Sequence, residues 1–192
     1  FNGNGYDESW VEEAQKRGLL NLKTTPDALP YFIKENNIEL FKRHHVLDEE
    51  EVTSRYEIMM EEYVKVLNIE ALTMVDMAKK EILPAVSFYS KRLAETCLMK
   101  EKLVSQQQCY EKETLEKMTQ LLNKAYQALT HLESILETSK TINDFEQLAF
   151  FYRDNLILAM NDLREPCDEL ETMTAQDIWP FPTYGKLLFG II

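Results

Sequence analysis

Glycine and proline are scarce in this 192-residue chain, with 5 and 6 residues. That scarcity excludes collagen-like and hairpin-rich architectures, which spend both residues at turns. Only three histidines and three cysteines are present. Cys97, Cys109 and Cys167 are odd in number, far apart and without a C-x-x-C pair. A disulfide framework or zinc ribbon is therefore not expected, and the three read as reduced thiols of a cytoplasmic protein. Positive charge is also short: 21 Lys and Arg face 33 Asp and Glu, a net charge of −12. Such acidity argues against nucleic acid or an anionic membrane as partner. No apolar run approaches the ~18 residues of a membrane span. The P-loop, dinucleotide, H-E-x-x-H and G-x-S-x-G patterns are missing. A di-iron bundle would need Glu three residues before His, but Phe41, Lys42 and Ala128 precede His44, His45 and His131. No catalytic, cofactor-binding or metal-binding residue is expected within the chain.

What is present favours helix. The composition is 45% apolar and 28% charged, rich in Leu, Glu, Lys, Ala and Met. The chain is long enough to bury a full core. Its most apolar stretch is Tyr63 to Val86. Between Val64 and Ala78, ten of fifteen residues are apolar, on nearly every side of a helix. This helix is expected to be surrounded by other elements, with Asn68, Glu70, Thr73 and Asp76 at or near burial.

Taken in order, FNGNGY (1–6) reads as a turn. Asp7 caps a short helix to Arg17, with Gly18 in the left-handed position that ends it. Thr25-Pro26-Asp27 starts a turn, and Pro30 is expected to begin a separate short helix. Asn36 and Glu39 form a third start, running to about Arg43. The pair His44-His45 reads as a helix end, because adjacent helical residues point about 100° apart and do not chelate from one face. Asp48 and Glu51 form a capping pair, and the acidic run 48–51 complements a helix N-terminus. The helix that follows carries Val52, Tyr56, Met59, Tyr63, Leu67, Ala71, Met74, Ala78 and Ile82 in one stripe. A kink or break is expected at Pro84.

After a polar linker at 105–108 the apolar spacing becomes a heptad seam: Leu115, Met118, Leu122, Ala125, Leu129, Leu132 and Leu136, widened by Leu121, Ala128 and Ile135 so that the helix touches more than one neighbour. Thr141 or Asn143 caps a second seam, Phe145 to Met173, which Pro166 should bend. Two such helices joined by a short turn are antiparallel neighbours. The expected fold is all-α: short helices within 1–46, an up-down bundle of long helices (48–104 kinked at Pro84, 110–138 and 142–175), and an extended apolar tail, 177–192. The tail is expected to fold back beside 48–82 on Trp179 or Phe181. The whole reads as one helical domain over 1–192. The chain opens on Phe1 rather than Met and is expected to be the C-terminal part of a longer one.

Five blocks carry a resemblance: FNGNGY (1–6), RGLLNLKTTPDALP (17–30), NIEALTMVDMAKKEILPA (68–85), CDELE (167–171) and WPFPTYGKLLF (179–189). Together they resemble the C-terminal region of type III glutamine synthetases. The resemblance implies a parent enzyme that joins ammonia to glutamate with ATP through γ-glutamyl phosphate, using Mg²⁺ or Mn²⁺. It implies a cytoplasmic homo-oligomer of stacked hexameric rings, with this chain's own upstream catalytic core as partner. That family's metal-, nucleotide- and phosphate-binding residues belong to the upstream core, and none has a match here. The segment would then support the core or the assembly and be inactive alone. The alternative is a non-enzymatic helical scaffold whose seams engage partner helices.

Overall fold

The structure is a computed structural model and describes residues 3–103 and 109–190. Among these residues every regular element is helical. In order they are α1 Glu8–Lys16, α2 Thr25–Phe32, α3 Glu35–Arg43, α4 Glu49–Met77, α5 Leu83–Leu103, α6 Tyr110–Ser139, α7 Phe145–Phe151, α8 Ile157–Met173 and α9 Tyr184–Phe189. Single π-helical turns, Ala78–Ile82 and Tyr152–Leu156, join α4 to α5 and α7 to α8. The all-α expectation holds. Residues 1, 2, 104–108, 191 and 192 lie outside the described set, and with them the linker at 105–108.

Local chemistry explains most helix ends. The Asp7 carboxylate accepts from the Ser9 N–H at 2.9 Å, and Gly18 ends α1 with a φ of 75°. Asp48 and Glu51 exchange reciprocal backbone-to-carboxylate bonds, each 2.9 Å, at the start of α4. His45 takes a left-handed φ of 54° after α3, and the Val46 N–H reaches back to the Phe41 carbonyl at 3.0 Å. That is the Schellman geometry of a helix end, as the histidine pair suggested.

Several expected starts move by a residue or more. The cap of α2 is Thr24, not Thr25, and the hydroxyl of Thr24 accepts from the Asp27 N–H at 3.4 Å. Pro30 does not begin a new helix but sits inside α2. It removes only one bond, and α2 ends two residues later, so the loss is small. Helix α3 begins at Glu35 behind Lys34, so Asn36 lies inside the helix and does not cap it, and the Asn37 side-chain amide donates to the Tyr31 carbonyl at 2.5 Å. Asp144, not Thr141 or Asn143, caps α7, accepting from the Gln147 N–H at 2.8 Å.

At Pro84 the helical path does not break. The Leu83 N–H bonds to the Ala78 carbonyl, five residues back, forming the π turn just ahead of the proline. One extra residue in that turn relieves crowding between the proline ring and the turn before it. Helix α8 likewise runs through Pro166, which is buried.

The chain divides into two compact units: Phe1–Lys65 with Asp144–Arg153, and Val66–Asn143 with Asp154–Ile192. In the first unit α2 packs on α3 and α7. Pro26, Val52, Tyr56, Met60, Val64 and Ala149 are buried there. In the second unit α6 packs on both α5 and α8. Lys117, early in α6, pairs with Glu169, late in α8, at 2.5 Å. Lys100, late in α5, pairs with Glu111, early in α6, while Lys79 ahead of α5 pairs with Glu133 late in α6. Both contacts of α6 are therefore antiparallel, as up-down topology requires.

The buried stripe of α6 is Met118, Leu121, Ala125, Leu129, Leu132, Ile135 and Leu136. Leu115 and Leu122, expected in the buried seam, are only half-buried. A straight helix drifts against a seven-residue repeat, and here Leu121 takes the core position. The central helix also departs from expectation. It is not surrounded: Val66, Ile69 and Leu72 are 45%, 62% and 51% exposed. Glu70, Thr73 and Asp76 are exposed, and Asn68 is half-buried. Asp76 pairs with Lys80, and the Thr73 hydroxyl donates to the Ile69 carbonyl at 2.8 Å. The tail is not extended throughout. After Pro182, Thr183 caps the short helix α9, whose Tyr184, Leu187, Leu188 and Phe189 are all exposed.

Candidate functional site

The residues weighed as possible ligands or catalysts stay apart. His44 and His45 are exposed at the end of α3, and His131 is exposed on α6. The acidic run 48–51 completes the capping box of α4, and Glu49 also pairs with Lys42 at 2.7 Å. The described part of FNGNGY, residues 3–6, is a turn in which the Asn4 side chain accepts from the Tyr6 N–H at 3.1 Å. Among the described residues no group of three or more His, Cys, Asp or Glu converges to hold a metal ion.

Within the first unit, the best-built polar contact is the ion pair of Arg153 with Asp27, at 2.5 Å. Asp27 also accepts from the Thr24 hydroxyl at 2.5 Å, so the cap of α2 and the anchor of Arg153 share one carboxylate. The Tyr56 hydroxyl is buried without a hydrogen bond of good geometry. Burial, and then the nearby Glu146 carboxylate, push its pKa up to about 12. A mainly apolar groove in this unit is lined by Ala28, Leu29, Phe32, Leu47, Ile58 and Met59, with Arg55 as its one charged member.

Within the second unit, a cavity of about 180 Å³ is walled by Met74, Met77, Ala78 and Ile82 on one side. Leu163 and Cys167 of α8 and the tail residues Trp179 and Phe181 face them, and the charged side chains of Arg164, Asp168 and Glu171 also line it. Trp179 and Phe181 stack edge to face at 6.0 Å. The first half of the tail thus lines the same cavity as Met74, Met77, Ala78 and Ile82, whereas the expected course was beside 48–82. The Trp179 indole N–H is buried without a partner.

A second cluster in this unit joins the end of α5 to the start of α6. The sulfurs of Cys97 and Cys109 lie 3.5 Å apart. The Cys109 thiol donates to the Glu111 carboxylate at 3.1 Å, and Lys100 ion-pairs with the same carboxylate. These donors, Lys100 first and Cys109 second, hold the Glu111 carboxyl down at about 2. The hydrogen bond with Cys109, and then burial, raise the Cys97 thiol above its ordinary value. In sequence the three cysteines read as widely spaced reduced thiols, with no pairing of Cys97 and Cys109. The signal passed over was a pair flanking the junction of two antiparallel helices.

Fold and site together define an all-helical domain whose described residues bring together no group of three or more metal-ligating side chains and leave many apolar side chains exposed. The profile of the glutamine synthetase C-terminal domain matches residues 1–102, more than half of the chain. The chain belongs to that family. It is similar to a glutamine synthetase of Butyrivibrio fibrisolvens, 36% identical over 100% of this chain and 27% of that protein. A type-3 glutamine synthetase of Dictyostelium discoideum is 33% identical over 98% of this chain and 26% of its own length. A glutamine synthetase of Bacteroides fragilis (strain YCH46) is 29% identical over 98% and 27%. The chain spans about a quarter of the length of the curated relatives it matches.

Proposed function

We propose that this chain is the C-terminal helical domain of a glutamine synthetase and serves that enzyme by supporting its catalytic core or its assembly. One observation carries the reading: three relatives named glutamine synthetase align with nearly all of this chain through only about a quarter of their own length. The remaining three quarters provide room for the chemistry. The parent would make glutamine from glutamate and ammonia, with ATP activating the γ-carboxyl as a phosphate and Mg²⁺ or Mn²⁺ offsetting phosphate charge. Among the described residues no group of three or more His, Cys, Asp or Glu converges to hold a metal ion, and every regular element is helical, so no glycine-rich turn meets a strand.

Support for a docking role comes from the surface. Val66, Ile69 and Leu72 on α4 and Leu187, Leu188 and Phe189 on α9 are large, apolar and more than 40% exposed. Exposed apolar groups of this kind suit contact with another part of the protein or another subunit. On this reading the partners are the chain's own upstream core and further copies in stacked hexameric rings, within the cytoplasm. The test is a ligase assay on the purified segment, supplied with glutamate, ammonia, ATP and Mg²⁺, its helicity confirmed by circular dichroism. Neither glutamine nor released phosphate is expected; formation of either at a rate proportional to the segment would overturn the reading.

A further inference from the structure

From the contact of two sulfurs at the junction of α5 and α6, we infer that Cys97 and Cys109 form a reversible disulfide when a low-molecular-weight disulfide oxidant is present. Their sulfurs are already 3.5 Å apart. A disulfide needs about 2 Å, so the approach still required is about 1.5 Å. Cys109 is placed to make it. It is the N-cap residue of α6, with extended φ and ψ of −130° and 114°, and its side chain makes no cap hydrogen bond. The side chain can therefore turn toward Cys97 without breaking the helix.

The two thiols are unequal, and the inequality sets the order of events. Cys97 is buried on α5 while Cys109 is half-exposed. Cys97 is also held protonated by its neighbours: Cys109, burial, and the carboxylates of Glu101 and Glu111. Cys109 is thus the first to meet an external oxidant. The Lys100 ammonium lies close enough to both sulfurs to interact electrostatically with each. Cys167 offers a contrast: it lies in the α8 wall, and burial pushes its thiol up to about 11.

The chemistry balances with a small disulfide such as oxidised glutathione. The Cys109 thiolate attacks one sulfur of the oxidant, breaking its S–S bond and releasing one glutathione thiolate, which takes up the proton that Cys109 gave up. Cys97 then loses its proton and attacks the Cys109 sulfur of the mixed disulfide. The Cys97–Cys109 bond forms, and the second glutathione leaves with the Cys97 proton. Two electrons pass from the cysteine pair to the oxidant. The product ties the last turns of α5 to the first residue before α6, and Glu111 loses its thiol donor. Reduced glutathione in excess reverses both exchanges.

The experiment uses the full-length protein that carries this chain. It is incubated with oxidised glutathione, its free thiols are blocked with iodoacetamide, and it is digested without reduction for mass spectrometry. The expected result is a peptide pair linked through Cys97 and Cys109, lost on treatment with dithiothreitol, while Cys167 is found neither linked nor glutathionylated. Cys97→Ser should trap the glutathione adduct on Cys109, and Cys109→Ser should abolish the linked pair and leave Cys97 unmodified. Alkylation of both Cys97 and Cys109 in the oxidised wild-type protein would overturn the proposal. So would a glutathione adduct that persists on wild-type Cys109, or linkage only between separate chains. The wild-type readout stands even if a variant fails to fold.

Discussion

Leu121 and Leu122 are adjacent on α6, and they measure how finely burial separates neighbours. Leu121 is 6% exposed, while Leu122 is half-buried. Leu121→Ala should cost roughly 2–5 kcal/mol, the transfer term plus a residual cavity. Leu122→Ala should cost about 1 kcal/mol. Denaturant titration of each variant checks this, and equal losses would place both side chains in one layer. Glu111 supplies a second test at this scale. Its folded pKa, about 2, lies below the ordinary value of 4.5. The group therefore stabilises the fold fully above about pH 4.5, and that contribution is lost as the pH falls toward 2. Glu111→Gln should remove this dependence, so that the variant's melting temperature falls less steeply than the parent's between pH 4.5 and 2. Parallel curves would show that Lys100 and Cys109 do not hold the ionised form.

Among the elements, the ends were more legible than the middles. Asp7, Gly18 and the Asp48–Glu51 box act where their residue types suggest, because a cap depends on atoms within three residues. Asp48→Ala should cost about 1 kcal/mol and speed hydrogen exchange in the first turn of α4 alone; unchanged exchange there would mean the box contributes nothing. Pro84 and Pro30 were harder to read, because a π turn or an early helix end absorbs a missing N–H in ways that spacing does not encode. The α4 stretch was read as enclosed because it is apolar all round. Its outer face, Val66, Ile69 and Leu72, is open in this chain, and composition alone does not say which partner covers such a face. The cysteine pair was illegible for the same reason: twelve residues separate the sulfurs in sequence, and only antiparallel packing brings them together. The tail divides likewise. Trp179 and Phe181 anchor beside Met74–Ile82, so deleting 177–192 should lower the melting temperature and speed exchange in 74–82. No change in either would detach the tail from that wall.

At the scale of the whole molecule, the chain covers only part of the relatives it matches. Its relatives named glutamine synthetase align with it through 26–27% of their length. Its described residues bury their own core in long antiparallel helices yet leave apolar faces on α4 and α9 in solvent. On the proposed reading, such a domain acts through the surfaces it offers to the rest of the enzyme. The claim that it supports the catalytic core or the assembly is tested most directly by comparing the full-length parent with a version lacking residues 1–192, in a paired measurement of glutamine formation and native mass by light scattering. The account predicts that removal lowers ligase activity, reduces the assembled mass, or both. Full activity in particles with the parent's subunit number would contradict it.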